Sequence, residues 1–518
     1  MRSGLAVAAV VLVAAGRAFG APLVDAARLE DHEKALALIE QGADVNEAAA
    51  DGTTALHWAV AADDVVLVER LLAAGADPNA VNEFGATPMS EAAIVGNPDV
   101  IARLLDAGAD PDSANEDGQT ALMLLARTAN VDAARLLLDH GANVDAREVL
   151  RGQTALMWAA AERQPEMMRL LIEHGADVDA RSRIHDWERQ VSGEPRAQYR
   201  PSGGLTPLLF AAREGCLECV RILLDAGADI DLPDPDGITP LIMAVANMHF
   251  DVAAHLVEAG ADVNRWDWWG RTPLYLAVDV NTIPHGGRPD RPVLDETTSL
   301  ELIEMLLEAG ANPNAQLKLR PPFRSVGADR GVDHMLIIGT TPLLRAAKAF
   351  DTDAIRLLLE HGADPNLGQV IGITPVMAAA GLGSRDADTR GTFTTPDVQQ
   401  RSIAALELLL DAGGNVNARI AGRYGEYCCP YPSDESLDHM KGQAAIHGAA
   451  FWGWNDVVEY LVSRGADIHV KDARGMTPED AALGRAGGNS RGDRIDVHED
   501  TAELVRRLMA ATPQADAR

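Results

Sequence analysis

The chain is 518 residues long, and 47% of its residues are hydrophobic but only 4% are aromatic. Its 77 Asp and Glu residues against 45 Lys and Arg residues give a formal net charge of −32, which repels phosphate backbones and anionic lipids. Nucleic acid and anionic membranes are therefore excluded as favoured partners, and the acidity either serves solubility or attracts a basic partner protein.

The first segment, residues 1–20, has the pattern of a secretory signal peptide. Arg2 precedes an apolar run over residues 5–15, and small residues stand before the expected cleavage point at Ala21. The run is too short to span a bilayer. No Asn-x-Ser/Thr glycosylation acceptor occurs, which favours a bacterial periplasm over a eukaryotic surface. We therefore expect an exported protein, periplasmic or secreted, with no membrane insertion after cleavage.

Two short motifs recur along almost the whole chain. The first is Gly-x-Thr-Pro-Leu, in which Ala replaces Thr or Pro in some copies. It begins at Gly52, Gly85, Gly118, Gly152, Gly204, Gly237, Gly270, Gly339, Gly372, Gly442 and Gly475. The second, Gly-Ala-Asp or Gly-Ala-Asn, keeps the same period of 33 or 34 residues wherever no insertion intervenes. Such a period indicates stacked repeats, each of which buries its apolar face against its neighbours.

The residue types within one repeat predict two helices. Thr87 can cap a helix that begins at the following Pro, where no backbone N–H is lost. The small pair Ala92-Ala93 lets successive first helices approach closely, and the Leu71-Leu72 pair fills the layer under a second helix. A glycine such as Gly75 then ends the second helix in a left-handed conformation.

With these motifs the chain resembles the ankyrin-repeat family, whose unit carries Thr-Pro-Leu-His-x-Ala-Ala, then Leu-Leu, then Gly-Ala-Asp. The resemblance implies an all-α fold, an α-solenoid of about twelve stacked helix-turn-helix repeats joined by β-hairpin fingers. We expect one continuous domain over residues 21–510 and a short tail at 511–518. The resemblance also implies protein recognition in general, without a particular ligand.

Longer spacings between the motifs locate insertions in loops, where they are tolerated or contribute to binding. Three lengthen the predicted fingers, two separate the helices of one repeat, and one lies near the end of the chain. They fall near residues 181–203, 316–338 and 420–441, near 282–298 and 383–399, and near 485–499, respectively.

Arg265, Trp266, Trp268 and Trp269 are the best candidates for partner contacts. They occupy one predicted finger, where most other repeats carry small or polar residues. Trp and Arg are among the commonest hot spots of protein interfaces, and three indoles on a short exposed hairpin are costly without a purpose. The alternative is that one or two of the rings only cover the adjacent loop insertion.

The four cysteines are candidate redox thiols. Cys216 and Cys219 have the spacing of a redox motif, but Cys219 aligns with Leu67 of another repeat, so a buried apolar role is the simpler interpretation. In an oxidising compartment the two could still bridge. Cys428 and Cys429 lie in an inserted finger, where a vicinal bridge or reactive thiols remain open.

No pattern of a catalytic or metal site emerges from the sequence. His-Glu-x-x-His, Gly-x-Ser-x-Gly and phosphate-loop motifs are missing, and no His pair has metal spacing. His57 and His447 occupy a position where other copies carry Ser, Met, Tyr or Leu, which favours packing and local hydrogen bonding. We therefore expect no enzymatic activity, no cofactor and no metal.

The leading hypothesis is an exported, monomeric, non-enzymatic protein that binds another protein. The alternative is a periplasmic protective or chaperone-like accessory of a redox enzyme that uses the cysteines.

Overall fold

The computed structural model describes residues 21–185, 188–190, 197–199, 202–282, 295–319, 337–383, 395–421, 440–485 and 497–512. Within these residues the chain forms 24 α-helices in 12 pairs and four short strands, which confirms the predicted all-α repeat fold. The predicted signal peptide, most of the tail, Cys428 and Cys429, and most of five of the six predicted insertions lie outside the described residues.

The helices alternate between a first helix of each pair, called inner, and a second, called outer. The inner helices are α1 Pro22–Arg28, α3 Ala55–Ala61, α5 Pro88–Val95, α7 Ala121–Thr128, α9 Ala155–Ala161, α11 Pro207–Glu214, α13 Pro240–Ala246, α15 Pro273–Asn281, α17 Pro342–Ala349, α19 Pro375–Ala379, α21 Ala445–Phe451 and α23 Pro478–Ala482. The outer helices are α2 His32–Glu40, α4 Val65–Ala73, α6 Pro98–Asp106, α8 Val131–Asp139, α10 Pro165–Glu173, α12 Leu217–Asp225, α14 Phe250–Glu258, α16 Ser299–Glu308, α18 Thr352–Glu360, α20 Val398–Asp411, α22 Asn455–Ser463 and α24 Glu499–Ala511.

The strands lie in the finger that the insertion at 181–203 lengthens. β1 Ile184–His185 pairs antiparallel with β4 Ser202–Gly203, and β2 Glu188–Gln190 pairs antiparallel with β3 Ala197–Tyr199. Ile184 lies opposite Gly203, and Glu188 lies opposite Tyr199. The described residues of this insertion therefore form two antiparallel strand pairs.

Local chemistry sets the helix boundaries as the sequence predicts. Thr87 caps α5: its hydroxyl accepts a hydrogen bond from the N–H of Ser90 at 3.1 Å, and a Pro occupies the first helical position. Gly108 lies just after the C-terminus of α6 and has a φ of +89°. Its N–H donates to the carbonyl of Leu105, and the N–H of the next residue donates to the carbonyl of Leu104. This pair of bonds needs a left-handed residue, which glycine adopts without steric cost.

The helices pack in two compact units, residues 1–177 and 178–518. Within each unit every inner helix contacts the next inner helix, and every outer helix contacts the next outer helix. Fully buried aliphatic side chains fill the space between them, for example Leu56, Leu104 and Leu137 in the first unit. Each such side chain contributes about 1.5–3 kcal/mol through burial, so each repeat depends on its neighbours for stability.

The Gly-Ala-Asp/Asn turns are linked from repeat to repeat by side-chain hydrogen bonds. The amide nitrogen of Asn264 donates to the carbonyl of Gly310 at 3.0 Å, and its amide oxygen accepts from the N–H of Asn312 at 2.8 Å. Where the turn carries Asp179 instead of Asn, its carboxylate accepts from the N–H of Asp229 at 2.9 Å. A carboxylate has no N–H, so it cannot donate to a glycine carbonyl as Asn264 does. These recurring side-chain hydrogen bonds therefore fix the register between neighbouring repeats.

Candidate recognition site

The finger over residues 262–271, here called the Trp finger, is built around one buried carboxylate. Asp267 is 1% exposed; one of its oxygens accepts from the backbone N–H groups of Trp269 and Arg271, at 3.0 and 2.9 Å. The other oxygen accepts from Nε of Arg271 at 2.6 Å. Burial raises the pKa of Asp267 even though the Arg271 guanidinium and these hydrogen bonds act in the opposite direction.

The same arrangement holds the tips of other fingers, with different side chains. In the finger before α7, Asn115 accepts from the N–H groups of Asp117 and Gln119 at 3.1 and 3.0 Å. In the finger before α23, Asp472 accepts from those of Arg474 and Met476. The buried Asp267–Arg271 ion pair thus stabilises a turn that the neutral amide of Asn115 stabilises in another finger.

Two of the three indoles are exposed, and the third is half-buried. Trp266 is 53% exposed and Trp268 is 46% exposed, whereas Trp269 is half-buried. The Trp269 ring lies under the Arg271 guanidinium, with Cζ 4.6 Å from the ring centroid. The exposed Arg265 forms a solvent-exposed ion pair with Asp262, at 3.4 Å.

The Trp finger is also hydrogen-bonded to the fingers on either side. The N–H of Trp268 donates to the carbonyl of Asp236 at 2.8 Å, and the carbonyl of Trp269 accepts from Lys318 and Leu319 at 2.8 and 3.1 Å. Nζ of Lys318 lies 3.4 Å from the centroid of the Trp266 ring, and Leu319 beside it is 40% exposed. The site therefore presents two indoles and one aliphatic side chain. Its backbone is hydrogen-bonded to Asp267 within the finger and to the neighbouring finger on each side.

A second aromatic cluster packs between repeats of the second unit. Trp454 is 3% exposed and stacks on Trp452 at a centroid distance of 6.1 Å. Phe350 meets Trp454 edge-on at 6.1 Å, and the Trp452 indole N–H donates to the carbonyl of Gly381 at 2.9 Å. These rings connect repeats to one another.

The Cys216–Cys219 pair forms a disulfide at the start of α12. Cys216 is the N-cap residue, and its sulfur accepts from the N–H of Cys219 at 3.2 Å. The two residues are 5% and 0% exposed, so the burial predicted for Cys219 is confirmed. The described chain thus contains a bonded and buried pair rather than an accessible dithiol.

His57 and His447 make local hydrogen bonds, as their variable position in the repeats suggests. Nδ1 of His57 accepts from the backbone N–H of Thr54 at 3.2 Å, and Nε2 donates to the carbonyl of Ala86 at 3.1 Å. Nδ1 of His447 likewise accepts from the backbone N–H of Ala444 at 3.2 Å. Both rings are therefore neutral and help to cap their inner helices. Burial lowers the pKa of each.

We expect His57 to make the first unit less stable in mild acid. Its folded pKa lies below the ordinary value, so between the two values the unfolded chain binds a proton that the folded chain does not. Stability is therefore full above about pH 6.5 and declines as the pH falls below it. Urea unfolding at pH 7.5 and 5.5 measures the loss.

The variant His57→Ser is the matched comparison, because Ser90 holds the same cap in α5 by accepting from Thr87 N–H at 2.9 Å. It should lose less stability than the wild type over that pH interval. An equal loss in both proteins would contradict the assignment.

Across the described ranges no three His, Cys, Asp or Glu side chains converge in the manner of metal ligands. None of the described helices combines the length and apolarity that crossing a bilayer requires.

Sequence reasoning missed a second exposed apolar region, in the first unit. Phe84 is 63% exposed, Ile94 64%, and Val149 and Leu150 are 51% and 61% exposed. They lie on fingers and at the end of an inner helix. The repeat register could have located them, because at equivalent positions most other copies carry small or polar residues.

Stacked helix pairs, hydrogen-bonded from finger to finger and from turn to turn, define a helical-repeat protein. The family model described as ankyrin repeats, in three copies, matches residues 23–115, 89–182 and 208–317, more than half of the chain. A single-repeat model of the same family matches residues 338–368 and 441–473. The chain belongs to the ankyrin-repeat family.

Similar proteins share the repeats over part of their length. The human SH3 and multiple ankyrin repeat domains protein 2 is 33% identical over 177 residues, 32% of this chain and 9% of that protein. The human 2-5A-dependent ribonuclease is 36% identical over 89 residues, 17% of this chain and 10% of that protein. The chain thus spans about a tenth of the length of these relatives.

Solved structures of ankyrin repeat domains are similar over less than half of the chain. That of Bcl-3 has 29% identity and a TM-score of 0.38, covering 44% of this chain and 94% of its own. That of human ASB11 has 26% identity and a TM-score of 0.36, covering 43% of this chain and 92% of its own. The ankyrin repeats of this chain indicate a protein-protein interaction module.

Proposed function

We propose that this protein is an exported, monomeric, non-catalytic binding protein that holds a protein partner through the Trp finger. The observation that carries the proposal is the pair of half-exposed indoles, Trp266 and Trp268, on a tip that a buried ion pair holds in place. The acid excess of the chain, 77 against 45 residues, favours a basic partner.

Rigidity makes the exposed indoles effective anchors. A binding loop that is already ordered loses little conformational entropy on association, so more of the contact energy appears as affinity. The Trp finger is ordered from within by Asp267 and from both sides by backbone hydrogen bonds to Asp236 and Lys318. An indole contributes large contact area with only two side-chain torsions.

The double variant Trp266→Ala/Trp268→Ala tests the site. With the mature chain as bait in an exported protein fraction, we expect retention of the partner to fall by at least 30-fold, since one hot spot is worth about 2 kcal/mol. Trp269 stays unchanged because it supports the finger. The control is Leu29→Ala, which removes a side chain that is 71% exposed on the first unit.

Equal retention by the double variant and the control would exclude the Trp finger as the binding site. Circular dichroism of both variants checks that the helices are unchanged.

Export is part of the proposal, and two observations support it. The Cys216–Cys219 disulfide is typical of proteins in oxidising compartments. Helix α1 begins at Pro22, so cleavage before Ala21 would remove none of the described helices. Mass spectrometry of the chain recovered from the periplasm of a bacterial host should give an N-terminus at Ala21; an uncleaved cytoplasmic product would overturn the export proposal.

The second candidate function is a periplasmic protective or chaperone-like accessory of a redox enzyme. The disulfide favours it, whereas the burial of both sulfurs favours a structural role. Thiol titration of the native chain with a mild dithiol reductant separates the two. Release of two thiols from Cys216 and Cys219 without unfolding would support the redox accessory, and thiols that appear only in denaturant would dismiss it.

A further inference from the structure

Four consecutive inner helices of the first unit, α3, α5, α7 and α9, each contribute one side chain to a row. The fourth helical residues of α3, α5, α7 and α9 are Trp58, Glu91, Leu124 and Trp158, and each is half-buried. Consecutive inner helices are in contact, and packed helices lie roughly 8–10 Å apart, so these side chains are neighbours. Among these four helices Glu91 is the single carboxylate, and the other three side chains are aromatic or aliphatic. The fourth residue of α1 is also a carboxylate, Asp25, but it pairs with Arg28 at 2.8 Å.

Glu91 has no partner among the described residues of the protein. Its carboxylate accepts no hydrogen bond and forms no ion pair there, and burial raises its pKa. A carboxylate that is partly removed from water without a compensating cation costs free energy. A cation placed beside it would recover that cost.

Two contacts between other consecutive inner helices show which position such a cation would have to occupy. The seventh residue of one inner helix meets the fourth residue of the next: Asp279 of α15 pairs with Arg345 of α17 at 2.6 Å. Likewise Arg127 of α7 lies over the ring of Trp158 of α9, at 5.7 Å. The residue that meets Glu91 in this geometry is Ala61 of α3, which is exposed and too short to reach it.

The surroundings of Ala61 are apolar and acidic. Trp58 lies one turn before it on α3, and Ile94, which is 64% exposed, lies one turn after Glu91 on α5. The fingers that precede α3, α5 and α7 carry acidic side chains and no Lys or Arg. Their acidic residues are Asp44, Glu47, Asp51, Asp77, Glu83, Asp110, Asp112, Glu116 and Asp117.

We propose that the face formed by α3, α5 and α7 and their preceding fingers binds a basic, partly apolar segment of a protein partner, with one Lys or Arg side chain over Ala61 between Trp58 and Glu91. This deepens the proposed function and rests on it, because it assigns a second contact region to the same binding protein. The cation pairs with the Glu91 carboxylate and stacks on the indole, and the segment's apolar side chains contact Ile94 and Phe84.

A peptide library provides the probe, since the segment's sequence is not defined. Twelve-residue fluorescent peptides combining Arg, Lys, Leu, Glu and Gly are selected on the full mature chain, and affinities are measured by anisotropy. We expect the selected peptides to contain Arg or Lys beside Leu. Glu91→Gln should weaken their binding about 10- to 100-fold, as loss of a charged hydrogen bond does.

Ala61→Arg is the second variant, because it supplies the cation within the chain and reproduces the Asp279–Arg345 contact with the two charges exchanged. It should weaken the same peptides by a similar factor. Glu162→Gln is the control, since it makes the same charge change at an exposed position of the turn after α9. It should change affinity less than about twofold, as expected for a distant surface charge.

Selection of peptides without Arg or Lys, unchanged binding to Glu91→Gln, or equal losses in Glu91→Gln and Glu162→Gln would each overturn this inference. Thermal melts check that the variants fold. Partner retention by the Trp266/Trp268 variant is measured separately, so the proposed function can fail or survive independently of this face.

Discussion

Replacing Asp267 with Ala should lower the free energy of unfolding of the second unit by about 3–5 kcal/mol, the cost of leaving one member of a buried ion pair alone. The variant leaves the Arg271 guanidinium, only 11% exposed, without its carboxylate. It also leaves the N–H groups of Trp269 and Arg271 without the acceptor that holds the turn. Urea unfolding, followed by tryptophan fluorescence, measures the loss.

The control for this prediction is Asp353→Ala, which breaks an exposed pair with Arg356 whose side chains are 62% and 52% exposed. Such a pair contributes at most about 1 kcal/mol. If the two variants lost equal stability, the buried pair would have no special role in the second unit.

A rescue variant sharpens the result. Asp267→Asn/Arg271→Gln copies the finger before α7, where Asn115 holds the turn and its amide nitrogen donates to Gln119 at 3.3 Å. Because a neutral amide pair leaves no charge unpaired, we expect it to recover most of the loss. A rescue variant as unstable as Asp267→Ala would show that the turn requires charge and not merely an acceptor.

Gly448→Ala should lower the free energy of unfolding of the second unit by up to about 3 kcal/mol. In the interior of a helix this substitution ordinarily stabilises by about 0.5–1 kcal/mol, because glycine loses more backbone entropy on folding. Here the added Cβ would lie 2.5 Å from the backbone nitrogen of Leu382 and 2.8 Å from the carbonyl oxygen of Ala380. Backbone atoms cannot move aside as the end of a flexible side chain can.

The sign of the change is the test of this close approach. The urea midpoints of wild type and Gly448→Ala give the difference in free energy of unfolding, provided that the two proteins have the same m-value. The matched comparison is Ala378→Gly, the same helical position in α19, which should cost about 2 kcal/mol, the entropy term plus the loss of one buried methyl group. A Gly448→Ala protein more stable than wild type would show that the segment after α19 does not pack against α21.

Much of the fold could be predicted because its determinants are local. The capping of α5 by Thr87 and the left-handed turn at Gly108 depend on neighbours within a few residues, and each recurs at a fixed period. The roles of His57 and His447 followed from comparing equivalent positions between copies, which separated a packing position from a catalytic one.

The candidate site was only half predictable, because its exposure depends on residues distant in sequence. Trp266, Trp268 and Trp269 are equivalent by residue type, yet Trp269 is half-buried and bonded to Lys318 and Leu319, which lie in the finger of the next repeat. Glu91 was overlooked for the same reason. Its lack of a partner depends on Ala61, a residue that only the stacking of α3 on α5 brings to it.

The amino-acid sequence by itself determined the repeat, its helix boundaries and its family, since caps, turns and small-residue contacts act over a few bonds and recur at one period. The tertiary structure decided which indoles are exposed, which carboxylate has a cation and which sulfurs form a disulfide. Those properties depend on the side chain that the neighbouring repeat places opposite, and one repeat cannot specify its neighbour's side chains.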